Sequence, residues 1–237
     1  MFNFAGPGHE SWPSLPFVVV AQRIEKTNIR LNRHTLKFVS LSILLVGCWP
    51  AINLAANPVL SLYEQRNQLV VRQNFDLSCG AAALATLLVF QHGETLSERD
   101  VAIGLISRDL YLKNPEILKS RQGFSLFDMS RYVDSLGYEG DGLGQLQFKD
   151  LASMAPIILA MDFSGYRHFV VYRGHLGNRV LLADPAYGVR TMKRKSFMRS
   201  WIDFPRLGRV GFRVIRRDSL FPPNRLAPRS EDFVTLN

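Results

Sequence analysis

Four residues of this 237-residue chain have the types and spacing that acyl transfer requires: Gln73, Cys79, His168 and Asp184. Cys79 opens the run Cys-Gly-Ala-Ala-Ala-Leu, whose small and apolar residues favour a helix. A thiol in the first turn of a helix feels the positive end of the helix dipole, which favours the nucleophilic thiolate. Ser78 or Asp76 is placed to cap the first unpaired N–H groups. His168 and Asp184 fall in two strand-like runs, 168–173 and 179–184, joined by a hairpin loop over 174–178. With the loop centred on Leu176, residues whose numbers sum to 352 oppose each other, and these two do. Opposed side chains share a face about 5 Å apart at Cβ, so the carboxylate would hold one imidazole nitrogen and leave the other for the thiol. A one-residue slip would put them on opposite faces. Gln73, six residues before the cysteine, offers a side-chain amide to an oxyanion, beside the N–H of Cys79.

Taken singly, each residue has an ordinary explanation. A lone cysteine is a small buried hydrophobe, a strand histidine is satisfied by backbone, an aspartate before Pro185 belongs to a turn, and Gln73 is a loop residue. The combination raises all four. We expect no metal ion and no cofactor at the site.

The elements that must position these residues follow from the patterning. Residues 61–71 lead in and end in a short strand before Gln73. The helix from Cys79 should stop near Gly93, a left-handed C-cap. Ser97 to Asp100 opens a second helix with a capping arrangement. Residues 109–120 are charged and ambiguous. Ser125 to Leu136 forms a third helix with Leu126, Met129, Tyr132 and Val133 on one face. Gly140, Gly142 and Gly144 read as a loop, and 148–154 as a short helix. Strands follow at 156–162, 168–173, 179–184 and 208–216, with a helix at 195–202. Helices first and an antiparallel sheet second is an α+β arrangement.

The net charge of +9 is concentrated at the ends: +3 over residues 1–37, +8 over 190–237 and −2 between them. No recognised motif for nucleic acid accompanies that charge, so nucleic acid is not an expected partner. The two cysteines, Cys48 and Cys79, are too few for a disulfide scaffold. We divide the chain into a disordered extension (1–35), a signal peptide or membrane anchor (36–57), a globular domain (66–217) and a disordered basic tail (218–237). Arg30, Arg33 and Lys37 precede an apolar run over 38–56, the layout of a secretory signal or signal-anchor. A start near Leu31 would make the basic stretch a compact n-region. Leu45-Val46-Gly47-Cys48 fits a lipoprotein cleavage pattern, and a buried helix is the alternative for the whole run. The basic flank keeps the N-terminus cytoplasmic and exports the rest, to a bacterial inner membrane facing the periplasm or to the periplasm after cleavage.

These residues resemble the C39 peptidases. The resemblance rests on Gln73, Cys79-Gly80-Ala81-Ala82, His168-Phe169-Val170-Val171 and Asp184-Pro185-Ala186, four blocks in the family's order. It implies a papain-like fold and a cysteine peptidase: Cys79 nucleophile, His168 base, Asp184 its orienter, Gln73 the oxyanion donor. Members of the family cleave leader peptides after a double glycine, often within a peptide-exporting transporter. This chain departs from transporter-borne members in carrying Ser78 where they usually have Asp, and in having no ATP-binding domain. It is more similar to stand-alone C39-like proteins of functional-amyloid secretion operons. The resemblance implies a peptide or protein substrate and amyloid-secretion components as partners. Two alternatives stay open: a C39-like binding module or secretion chaperone that holds an extended peptide without cutting it, and another acyl-transferring thiol enzyme.

Overall fold

The computed structural model describes residues 60–107, 109–218 and 220–233. The expected extension over 1–35 and the signal or anchor segment over 36–57 lie outside the described residues. Among those described, no helix is long and apolar enough to cross a membrane.

Helices come first, as the patterning predicts. Helix α1 (Leu62–Asn67) starts on a Ser61–Glu64 capping box. The expected strand after it is absent: residues 68–74 run outside any ladder. Helix α2 (Cys79–Thr86) continues into a π-helical turn (Leu87–His92) and ends at Gly93, in the left-handed conformation at φ +85°. Helix α3 (Glu98–Ile106) opens on a Ser97–Asp100 capping box. The ambiguous stretch resolves into two short helices, α4 (Asp109–Lys113) and α5 (Glu116–Ser120). Helix α6 (Leu126–Ser135) is capped by Ser125 and Asp128, and buries Met129 and Val133.

The expected glycine loop is instead strand β1 (Tyr138–Leu143). Glycine is needed there because a Cβ on Gly140 would lie 2.7 Å from Ser130 Cα of α6, so the strand lies close against that helix. After α7 (Leu151–Met154) come β2 (Ile157–Phe163), β3 (Tyr166–Leu176), β4 (Arg179–Asp184) and β5 (Gly188–Lys193). Then follow α8 (Arg194–Ser200), a minor ribbon of β6 (Asp203–Phe204) and β7 (Gly208–Arg209), and β8 (Gly211–Arg216). The main sheet is antiparallel, ordered β1-β8-β2-β3-β4-β5.

The strands in the middle of that sheet are apolar on both faces because both are covered. One face carries Ile158, Val171, Ala183 and Phe212 beneath α2, whose Ala81 to Ala85 are inaccessible to solvent. The other carries Leu159, Val170, Tyr172 and Leu182 beneath Phe197 and Trp201. Leu84, Leu87 and Leu88 are fully buried, each worth about 2 kcal/mol of transfer free energy. Small residues let α2 approach. A Cβ on Gly80 would meet Met129 Cε at 2.7 Å and Phe169 Cδ2 at 3.3 Å.

The register of the β3–β4 hairpin differs from expectation. Its turn is the two-residue Gly177-Asn178, so Leu176 pairs Arg179 and Gly174 pairs Leu181. A bulge at Arg173 then shifts the pairing to Tyr172 with Leu182 and Val171 with Ala183. Continued at that register, Asp184 stands opposite Val170. His168 therefore lies two residues along from direct opposition, on the same face.

The basic tail also differs from the expected disorder. Residues 220–233 lie against the domain and end in a 3-10 turn (Ser230–Phe233). Leu226 is fully buried, and the N–H groups of Asn224 and Arg225 donate to the carbonyls of Gln91 and Phe90. Arg173, itself buried, donates from Nε to Leu226 O at 3.0 Å and from Nη2 to Asp232 at 2.9 Å. Composition alone hid this, because the tail's few apolar residues fill a place that β3 leaves for them. Replacing Arg173 by Ala leaves the Leu226 carbonyl without its donor and Asp232 with Arg229 alone, so stability should fall by about 2 kcal/mol. Urea unfolding measures that loss, and limited proteolysis should then cut within 218–233. An unchanged midpoint with an uncut tail would mean Arg173 does not hold it.

Candidate active site

Cys79 occupies the first position of α2 and is buried. Ser78 is the N-cap residue, as expected, but its hydroxyl makes no capping bond and turns instead to Phe75 O and Glu98. The helix mouth is left without a side-chain cap, and the N–H groups of Gly80 and Cys79 itself are directed at the sulfur, together with that of Phe169 from β3. Phe169 follows His168, so the thiol lies against the peptide next to the imidazole.

His168 and Asp184 are brought together. Nε2 of the imidazole is 3.5 Å from Oδ2 of the carboxylate, and both side chains are inaccessible to solvent. Neither Nε2 nor Asp184 Oδ2 has a hydrogen-bond partner among the described residues, and nor has the other ring nitrogen, Nδ1. No hydrogen bond joins it to the thiol. Oδ1 of Asp184 accepts from the N–H groups of Ala186 (2.9 Å) and Tyr187 (3.2 Å), the aspartate turn expected before Pro185.

Gln73 is tied to the same turn by its backbone: its N–H donates to Pro185 O at 3.0 Å. Its carboxamide reaches the hydroxyl of Tyr166, and its Oε1 is buried without a hydrogen-bond partner among the described residues. The structure thus gathers all four sequence candidates around one point, the junction of the α2 head with the ends of β3 and β4.

Burial pushes the Cys79 thiol up from its ordinary range. The N–H groups of Phe169 and Gly80 pull it back, and the negative Asp184 adds to the rise. The direction is the reverse of what the helix dipole alone predicts, because the site is dry and desolvation outweighs the dipole.

Sequence reasoning missed three neighbours. Tyr166 shares a strand face with His168, and its ring lies 4.7 Å from the imidazole, between it and Gln73. The two-residue spacing was the available signal. Arg190, in β5, sets Nη1 3.4 Å from Asp184 Oδ2 and stacks its guanidinium 4.3 Å from the Phe163 ring. Since β5 was not expected, nothing pointed to it. Arg72 clamps the 185–186 turn, donating to Pro185 O at 3.0 Å and to Ala186 O; no pattern in the sequence marks it. Among the described residues no group of His, Cys, Asp and Glu could hold a metal ion.

The model of the peptidase C39 family matches residues 67–204. Two curated relatives, each described as a probable functional amyloid protease FapD, are similar to this chain. The one from Pseudomonas aeruginosa is 37% identical over 153 residues, covering 64% of this chain and 65% of its own. The one from Pseudomonas fluorescens is 33% identical over 143 residues, covering 60% and 61%. The chain thus spans less than two thirds of the length of these relatives. Among solved structures, a double glycine motif protease from an AMS/PCAT transporter in complex with its leader peptide is 22% identical, with a TM-score of 0.49 over 62% of this chain and 90% of that one. The peptidase domain of Streptococcus ComA is 20% identical, with a TM-score of 0.45 over 62% and 98%.

The raised thiol sets a pH dependence with a definite sign. A thiol that holds its proton reacts slowly with iodoacetamide at pH 7, and its rate should turn upward only above the free-cysteine range of about 8.5. The folded form also keeps this proton to higher pH than the unfolded chain does. That contribution to stability is present below about pH 8.5 and is lost as the pH rises through the folded value. Intact-mass kinetics of Cys79 alkylation from pH 5 to 10 measure the profile; an inflection near pH 6 would mean the thiol is already ionised at rest.

Proposed function

The chain belongs to the peptidase C39 family, and we propose that it is a cysteine endopeptidase that processes an exported peptide or protein in functional-amyloid secretion. The observation that carries the reading is the buried His168–Asp184 pair, on the strand whose next residue, Phe169, directs its N–H at the Cys79 sulfur. The FapD-like relatives support the link to amyloid secretion.

In this reading Sγ of Cys79 adds to the scissile carbonyl carbon while Nδ1 of His168 takes the thiol proton. The raised thiol fits that order, in which the proton moves during attack rather than before it. Asp184 bears the imidazolium from behind. The carbonyl oxygen becomes an oxyanion facing the Gln73 carboxamide and the Cys79 N–H, and Tyr166 must yield its contact with Gln73 as substrate enters. The C–N bond then breaks as His168 returns its proton to the leaving amine. Water, deprotonated by His168, releases the acyl group and restores the thiol. Residues 36–57 would tether the domain to the inner membrane facing the periplasm, or release it there after cleavage.

The test is incubation of the purified protein with the precursor of the exported amyloid, followed by mass analysis. Wild type should cut at one internal site, and Cys79→Ala not at all. Gln73→Ala should lower kcat by about 10²–10³. In cells, a Cys79→Ala variant that supports full maturation would overturn the peptidase and favour a module that binds the segment without cutting it.

A further inference from the structure

Resting on the peptidase reading, we propose that Glu98 is a positioning residue that fixes the oxyanion donor and the nucleophile relative to each other. Its carboxylate grips the residue after Gln73 and the residue before Cys79. Glu98 begins α3, yet its side chain points inward and the residue is 97% buried. It accepts from the Asn74 backbone N–H at 2.9 Å, from Asn74 Nδ2 at 2.9 Å and from the Ser78 hydroxyl. That hydroxyl also lies 2.6 Å from Phe75 O, which closes the segment on itself.

Between the two grips the chain makes a costly detour. Leu77 sits at φ +64°, a left-handed conformation that a branched side chain seldom adopts. Such a residue persists only where the surroundings over-determine it. The Glu98 carboxylate binds the segment at both ends. Remove it and Leu77 can relax, carrying the Gln73 amide out of register with the Cys79 N–H. The sulfur itself stays: α2 holds it through its own buried face. The role is therefore specific to oxyanion stabilisation and leaves bare thiol reactivity alone.

Two probes separate these effects. A capped peptide aldehyde ending in Gly-Gly binds by addition of Sγ to the aldehyde carbon, with the thiol proton passing to the oxygen, so its affinity reports the oxyanion site. With iodoacetamide, Sγ bonds to the CH₂ carbon and displaces iodide while the thiol proton leaves to solvent, so the rate reports only the thiol. Glu98→Ala should weaken aldehyde inhibition about 30-fold, within the range that misplaced catalytic groups produce, and change the iodoacetamide rate less than about twofold. Glu98→Gln should stay within about threefold of wild type, since its carbonyl can accept from Asn74 and its NH₂ can donate to Ser78 Oγ. If Glu98→Ala does not fold, Ser78→Ala removes one grip and should cost about fivefold in aldehyde affinity alone, a fraction of the full misplacement effect. Unchanged aldehyde affinity in the variants, or parallel loss in both probes, overturns the positioning role and leaves the peptidase standing. A wild-type protein that binds no aldehyde overturns the peptidase and this role with it.

Discussion

The candidate site depends on a single extra residue in one strand. Side chains on a strand alternate between faces, so the pairing of β3 with β4 decides whether His168 and Asp184 can meet. The two-residue turn at Gly177-Asn178 sets a register that, carried through unbroken, pairs Asp184 with Val171 and turns His168 to the opposite face. The bulge at Arg173 advances β3 by one residue and reverses that outcome. Its side chain is neither idle nor exposed: it reaches the buried Leu226 carbonyl and Asp232 of the tail. Pro228 packs over the neighbouring Gly174, too close for any Cβ there. The segment that looks least structured in composition is thus fastened to the irregularity that aligns the pair.

Dryness is the second governing condition. The carboxylate and imidazole are both closed to solvent, and the thiol nearly so. Low dielectric makes every charge costly unless it is met. Asp184 is met by the N–H groups of Ala186 and Tyr187 on one oxygen, and by His168 and Arg190 around the other. The sulfur is met by N–H groups of Phe169 and Gly80, which are neutral dipoles and do not overcome the desolvation that keeps its proton on. In the proposed mechanism such a site is quiet at rest, with its charge separation deferred to the moment a substrate carbonyl is present.

Much of this was legible in the residues. The α2 start, its end at Gly93, the Ser97 and Ser125 helix starts and the apolar strands all carry strong local signals, and the structure bears them out. The four candidate site residues were legible because acyl transfer restricts residue types and because their blocks resemble those of the C39 family. The hairpin register was reached by a wrong route: a loop centred on Leu176 and an unbroken ladder give an even sum, 352, and the real turn plus the bulge gives 354, also even. Parity alone decides the face, so the shared face survived the error and direct opposition did not. What stayed hidden was tertiary. Gly140 reads as a loop residue until α6 lies against it, Arg72 and Glu98 act on groups far away in the chain, and Arg190 reaches Asp184 from a strand the pattern did not mark.

The site is assembled from two halves that are braced separately. One half is the loop from Gln73 to Cys79 with the head of α2, and its brace comes from α3. The other is the paired ends of β3 and β4, and its braces come from Arg190 and, through the bulge, from the tail. The halves meet largely through main chain: the Phe169 N–H on the sulfur, the Gln73 N–H on Pro185 O, and Arg72 on the carbonyls of 185 and 186. Of these only the Gln73–Pro185 bond is indifferent to side-chain identity; the others need the Cys79 sulfur and the Arg72 guanidinium. This seam leaves the side chains around it, Tyr166 above all, free to be set by what must enter the cleft. On the proposed peptidase reading, the chemistry is held by the frame, and selection of the substrate falls to the few residues that line the seam without closing it.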